Sequence, residues 1–140
     1  MITEDRLKHI LGVARRCYDL AMERGWDNDS CNQMFVLGFL HDIGYEFSDN
    51  IGHAEEGGIM LESISFPFGD AVRKHGMPLP ISEQSEELQI LNQADIETSS
   101  TGVHITAEQR LQDVAMRYGK DSVQYANMLE LCKQLELIKM

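Results

Sequence analysis

The chain has 140 residues, a formal net charge of −11 and 43% hydrophobic residues, which suits one domain around one ordinary core. The acidic balance excludes an extended nucleic-acid surface, since phosphate backbones need a basic face, but it leaves room for a small phosphorylated ligand beside a locally bound cation. No run of about 18 apolar residues is present, so no membrane partner is expected, and the acidic, amphipathic start predicts a cytoplasmic protein.

Helical periodicity dominates, with no alternating strand pattern. The first helix is predicted from about Thr3, a capping residue, to Arg24, with Gly25 ending it. Its apolar stripe reads Leu7, Ile10, Leu11, Ala14, Tyr18, Ala21 and Met22. Trp26 to Ser30 reads as a loop, and Ser30 as the cap of a second helix through Met34–Leu40. That run is apolar all round, which predicts the buried centre of the fold. A third helix is expected over Gly52–Ser65, and a fourth from near Pro67 to Gly76. After the GMPLP loop, Ser82 is expected to cap a fifth helix reaching about Thr98. Thr106 and Gln109 form a capping box for a sixth, ending at Gly119, and Ser122 caps a seventh. The expected class is all-α: a compact, single-domain orthogonal bundle of about six to seven helices. Cys17, Cys31 and Cys132 are widely spaced and odd in number, and read as small packing residues rather than a disulfide framework or a zinc site.

Chemistry centres on His41 and Asp42, which close the most hydrophobic helix. Chance supplies such a dipeptide in roughly one chain in three, so its context has to carry the weight. A carboxylate buried at that helix end costs several kcal/mol unless it is paired or bound to a metal. His9, His53, His75 and Asp95 each sit on or beside an apolar helical face. Any one of them alone reads as an ordinary satisfied core residue. Together they form the imidazole and carboxylate set that a borderline divalent metal takes.

The segments RLKHILGVA, FVLGFLHDIGY and ILNQADIETSSTG carry a His, a His-Asp pair and a distant Asp in order. In this the chain resembles the HD-domain superfamily of metal-dependent phosphohydrolases. The resemblance covers about residues 6–102 of a domain spanning 1–140, with C-terminal helices at about 106–138. It implies a metal held by His9, His41, Asp42 and Asp95. His53 in GHAEEGG and His75 in AVRKHG look like the two additional ligands of the dinuclear branch, with Asp42 bridging. The short Asp42–His53 interval also leaves His53 open to a core or surface role.

The resemblance further implies hydrolysis of a small phosphorylated molecule, a nucleotide being the leading class, by a metal-activated water, with Asp42 as the catalytic carboxylate. One or two divalent transition ions are expected, and Fe, Mn, Zn, Co and Ni are all compatible. Some six-ligand relatives are di-iron oxygenases, and a non-catalytic metal- or nucleotide-binding module is the third reading. Several hydrolytic branches place a Lys shortly after the His-Asp pair, where this chain has Tyr45. Tyr45 reads either as a substrate hydrogen-bond donor or as a half-buried aromatic. The cationic role would then move to Lys74 or Arg73. Ser100 and Thr101 offer hydroxyls to a phosphate, or simply cap a helix end. Glu56, one turn from His53, is a general-base candidate or a surface residue. His104 falls after the family pattern and needs no function, and Arg110 and Arg117 read as solvated surface.

Overall fold

The computed structural model describes residues 3–42, 53–63 and 69–138. Among them are seven α-helices and no extended strand: α1 (Glu4–Glu23), α2 (Asn28–Leu40), α3 (His53–Ser63), α4 (Gly69–Lys74), α5 (Glu86–Ile96), α6 (Ala107–Tyr118) and α7 (Val123–Gln134). One 3-10 turn, Ile81–Glu83, precedes α5. The all-α expectation therefore holds. Tyr45, Gly52, Ile64, Ser65, Pro67 and Phe68 lie outside the described residues, as does the side chain of Glu56. No helix among the described residues is long and apolar enough to cross a membrane.

The helix starts follow side-chain capping. Thr3, Thr106 and Ser122 each accept an N–H from their own first turn, and Thr106 with Gln109 completes a capping box. Two expected caps move. Asp27, not Ser30, accepts at the start of α2, taking the Ser30 N–H at 2.7 Å, so Ser30 lies inside the helix. Ser85, not Ser82, caps α5, because Ser82 is taken up in the 3-10 turn. In both cases a second capping-type residue stood three positions away, and the acidic first turn suits the chosen one.

The buried face of α1 is His9, Ile10, Val13, Ala14, Cys17, Leu20 and Ala21. Leu7, Leu11 and Met22 are exposed, so the true stripe is rotated from the expected one. The rotation admits His9 and Cys17, residues that a purely apolar stripe leaves out. α2 is also one-sided: Cys31, Met34, Leu37 and Gly38 are buried, while Val36 and Phe39 are exposed. The helix enclosed on several sides is α5, which contacts α1, α2, α4 and α7. Its Leu88, Ile90, Leu91, Asn92, Ala94 and Ile96 are all buried.

α1 makes its broadest packing with α2, and glycine sets how close they come. A Cβ on Gly38 would lie 2.8 Å from the Ala14 Cα and 3.0 Å from the Cys17 sulfur. This close approach seats the C-terminal end of α2, and with it His41, against α1. The segment after α5 closes back on α1 as well. Thr98 and His104 form an isolated antiparallel bridge, and Gly102, at φ 87°, packs on the Lys8 carbonyl, where a side chain would collide. A second apolar cluster, Ile96, Ala107, Leu111, Leu131 and Cys132, joins the end of α5 to α6 and α7.

Candidate metal centre

The six singled-out ligands come from five helices and converge. His9 lies in the second turn of α1, His41 and Asp42 follow α2, His53 opens α3, His75 follows α4, and Asp95 ends α5. His9, His41, Asp42 and His75 are buried, and the His53 and Asp95 side chains are mostly so.

Helix ends explain how the rings are oriented. The last carbonyls of a helix lack intrahelical donors. His41 Nδ1 donates to the Gly38 carbonyl at 2.6 Å, and His75 Nδ1 to the Val72 carbonyl at 2.5 Å. His9 Nδ1 donates to the Ser99 carbonyl at 2.9 Å, across to the turn after α5. A carbonyl only accepts, so each Nδ1 carries a proton, and a ring that binds a metal from this orientation does so through the Nε2 lone pair, which faces the centre.

Those lone pairs meet carboxylate oxygens. His9 Nε2 is 2.8 Å from Asp95 Oδ1 and 3.7 Å from Asp42 Oδ2, and His41 Nε2 is 3.5 and 3.2 Å from the same two atoms. On the other side, Asp42 Oδ1 is 3.1 Å from His53 Nε2 and 3.5 Å from His75 Nε2. Asp42 thus turns one oxygen toward His9 and His41 and the other toward His53 and His75.

Lone pairs set against carboxylates repel unless a proton or a metal cation lies among them. His41 Nε2 is buried without a hydrogen-bond partner, a costly state for a ring nitrogen. Two ligands on one ion at bond lengths of about 2.1 Å stand roughly 3.0–3.4 Å apart, close to the spacings here. The ligand atoms of His9, His41 and Asp95 lie within 4.8 Å of one another, as do those of His41, Asp42 and His75. The residues therefore fit a divalent ion, and two carboxylates with neutral imidazoles balance its charge.

The titration of these groups follows the same logic. Burial opposes a charged His41 ring, but with no ion among the ligands the adjacent Asp42 carboxylate, helped by Asp95, outweighs it and holds the ring's pKa well above the usual histidine value, so a proton then stands where a bound cation would. Burial likewise opposes ionised Asp42 and Asp95. The His41 ring counters it at Asp42, and the His41 and His9 rings at Asp95, so both pKa values lie well below the ordinary carboxylate value. The pocket is built to keep its carboxylates ionised around positive charge.

Other sequence candidates are placed differently. Lys74 pairs with Asp70 at 3.0 Å, and Arg73 lies 3.6 Å from Glu55. The Thr101 hydroxyl sits 3.3 Å from the Ser99 hydroxyl, and His104 is exposed. Ser100 lines a cleft of about 320 Å³ that reaches the centre at His9. Arg6, Arg110 and Arg117 also line it. Arg6 Nη1 donates to Asp42 Oδ2 at 3.2 Å, an ion pair that sequence reasoning missed. The signal was present: Arg6 stands three residues before His9, on the same face of α1. Arg110 and Arg117, expected at the solvated surface, form the α6 wall of the cleft.

The family model of the HD domain matches residues 6–99, and the chain belongs to that family, a superfamily of metal-dependent hydrolases. No curated protein and no solved structure matches the chain.

Proposed function

We propose that this chain is a dinuclear metal-dependent phosphohydrolase acting on a small phosphorylated molecule, with nucleotides the first class to assay. The observation that carries the reading is the split of Asp42, whose two oxygens face two different histidine pairs. By this assignment His9, His41, Asp42 and Asp95 would hold one ion, and His53, His75 and Asp42 would hold the other. Divalent ions at these positions supply Lewis acidity, acidifying a water and withdrawing charge from phosphoryl oxygens.

The protein groups have separate tasks. The backbone carbonyls of Gly38, Val72 and Ser99 fix the rings so that Nε2 faces inward. Asp42 stays ionised and orients the attacking water. Arg6 holds Asp42 Oδ2 and stands between the centre and the cleft, where it can meet a phosphoryl oxygen. The burial of His9, His41 and His75 keeps bulk water from the ligand atoms.

The test is a panel of phosphomonoesters, nucleoside di- and triphosphates and phosphodiesters, assayed with Mn, Fe, Co, Ni and Zn. Metal-dependent phosphate release from at least one class is expected, and it should vanish in His41→Ala. A metal-loaded chain that consumes oxygen with an organic substrate and releases no phosphate from the panel would replace this reading with the oxygenase one.

A further inference from the structure

The cleft between the start of α1 and α6 is not needed to hold the metal ligands, yet it concentrates positive charge in an acidic protein. Arg6, Arg110 and Arg117, three of the chain's seven arginines, line it, along with Ser100 and two carboxylates, Asp5 and Asp113. At about 320 Å³ it stands at the small end of the range for ligand pockets.

Its arginines are held at their inner and outer edges. Arg6 is tied to Asp42 at the metal end. Arg117 Nη2 donates to the Ser100 hydroxyl at 2.9 Å, and its Nε lies 3.3 Å from Asp113. Arg110 Nη1 donates to the Thr98 carbonyl at 3.3 Å, and its Nε is buried without a hydrogen-bond partner. A guanidinium anchored at one edge keeps its planar fork pre-organised for an anion.

We propose that this cleft is the subsite for a second anionic group of the substrate. The substrates are then compact molecules bearing two anionic groups, such as a nucleoside diphosphate or a bisphosphate, rather than simple monoesters. The phosphoryl group to be cleaved lies at the Asp42 and His9 end. The second group lies on Arg110 and Arg117, with the Ser100 hydroxyl between the cleft and the turn after α5. This assignment rests on the phosphohydrolase reading for which end is cleaved, but the cleft's affinity for anions can be measured apart from it.

The probe is inorganic pyrophosphate, titrated calorimetrically into the full chain in the presence of a chelator, so that only the cleft is read. Arg117→Gln and Arg110→Gln are each expected to weaken pyrophosphate binding about tenfold, the loss of one charge-assisted contact. Arg117→Lys should recover part of it, because charge returns without the fork. Arg15→Gln, an equal charge change on an exposed residue of α1 that does not line this cleft, should bind as the wild type does. Matched melting curves separate binding loss from unfolding. Wild-type affinity in both α6 variants, or an equal loss in Arg15→Gln, would overturn the subsite. Metal uptake, measured in parallel without chelator, reports on the metal reading alone, so failure of one is distinguishable from failure of the other.

Discussion

The buried centre and the arginine-lined cleft adjoin at His9 and Arg6, yet they are built on opposite terms. At the centre, polar groups are withdrawn from water, and the His9, His41 and His75 rings are pinned by backbone carbonyls before any ligand arrives. In the cleft, long cationic side chains from α1 and α6 lie half in water and are held by a few polar contacts at their edges. Burial makes an unpaired polar group costly, so it forces a defined arrangement, whereas exposure leaves a cation many inexpensive alternatives. The centre should therefore respond to mutation steeply, and the cleft in graded steps.

The largest effect is expected at Asp42. Asp42→Ala removes the oxygen shared between the two histidine pairs, and metal-dependent phosphate release should fall by roughly a thousandfold, the several kcal/mol that metal-centred charge stabilisation supplies. A variant retaining both ions and most activity would break the contrast between centre and cleft. Next comes Gly38→Ala. A methyl group there collides with α1, and overpacking should cost about 1–3 kcal/mol by denaturant melts. The displaced α2 end should also weaken metal binding, which an independent spacer glycine would not do. Arg6→Gln sharpens the boundary between the regions. It keeps a donor beside Asp42 but loses the charge, and should cost about 10-fold in metal affinity or activity with little change in melting temperature.

Most of the fold and the centre could be read from the chain. Thr3, Thr106, Gln109 and Ser122 announced their helix starts, and every metal-ligand candidate reached the same place. The misreadings share a physical origin. Ser30 lost to Asp27, and Ser82 to Ser85, because capping residues stood close together and only the folded chain selects between them. α2 looked enclosed because its residues are apolar, yet α5, with polar Asn92 and Gln93 in its run, is the enclosed helix. Burial depends on what packs against a helix, and the Asn92 side chain accepts the Gly76 N–H at 2.8 Å. Arg110 and Arg117 were illegible for a different reason. Exposed arginines on an amphipathic helix look alike whether they face bulk water or a neighbour's cleft.

The Cys132 thiol is pushed up to about 11 by burial and the nearby Glu108 carboxylate, so alkylation at pH 8 should be slow until the protein unfolds. Asp27, fully exposed, has its pKa lowered by the Ser30 amide hydrogen bond. A carboxyl lowered in the folded state contributes stability above its unfolded value, 3.8, and loses it as pH falls through the lower folded value. The small advantage of wild type over Asp27→Asn should therefore persist at neutral pH, start to fall below about pH 4 and vanish only once pH has passed the lower folded value in acid melts.

Metal stoichiometry decides whether the buried centre is a dinuclear site. Elemental analysis of the chain after anaerobic loading with iron, manganese or zinc should give two ions per chain. It should fall to one in His75→Ala and to none in Asp42→Ala, whose two oxygens face the two histidine pairs. A wild-type chain that takes up no ion under any loading condition would contradict the account, and a stoichiometry of one that His75→Ala leaves unchanged would contradict its dinuclear form.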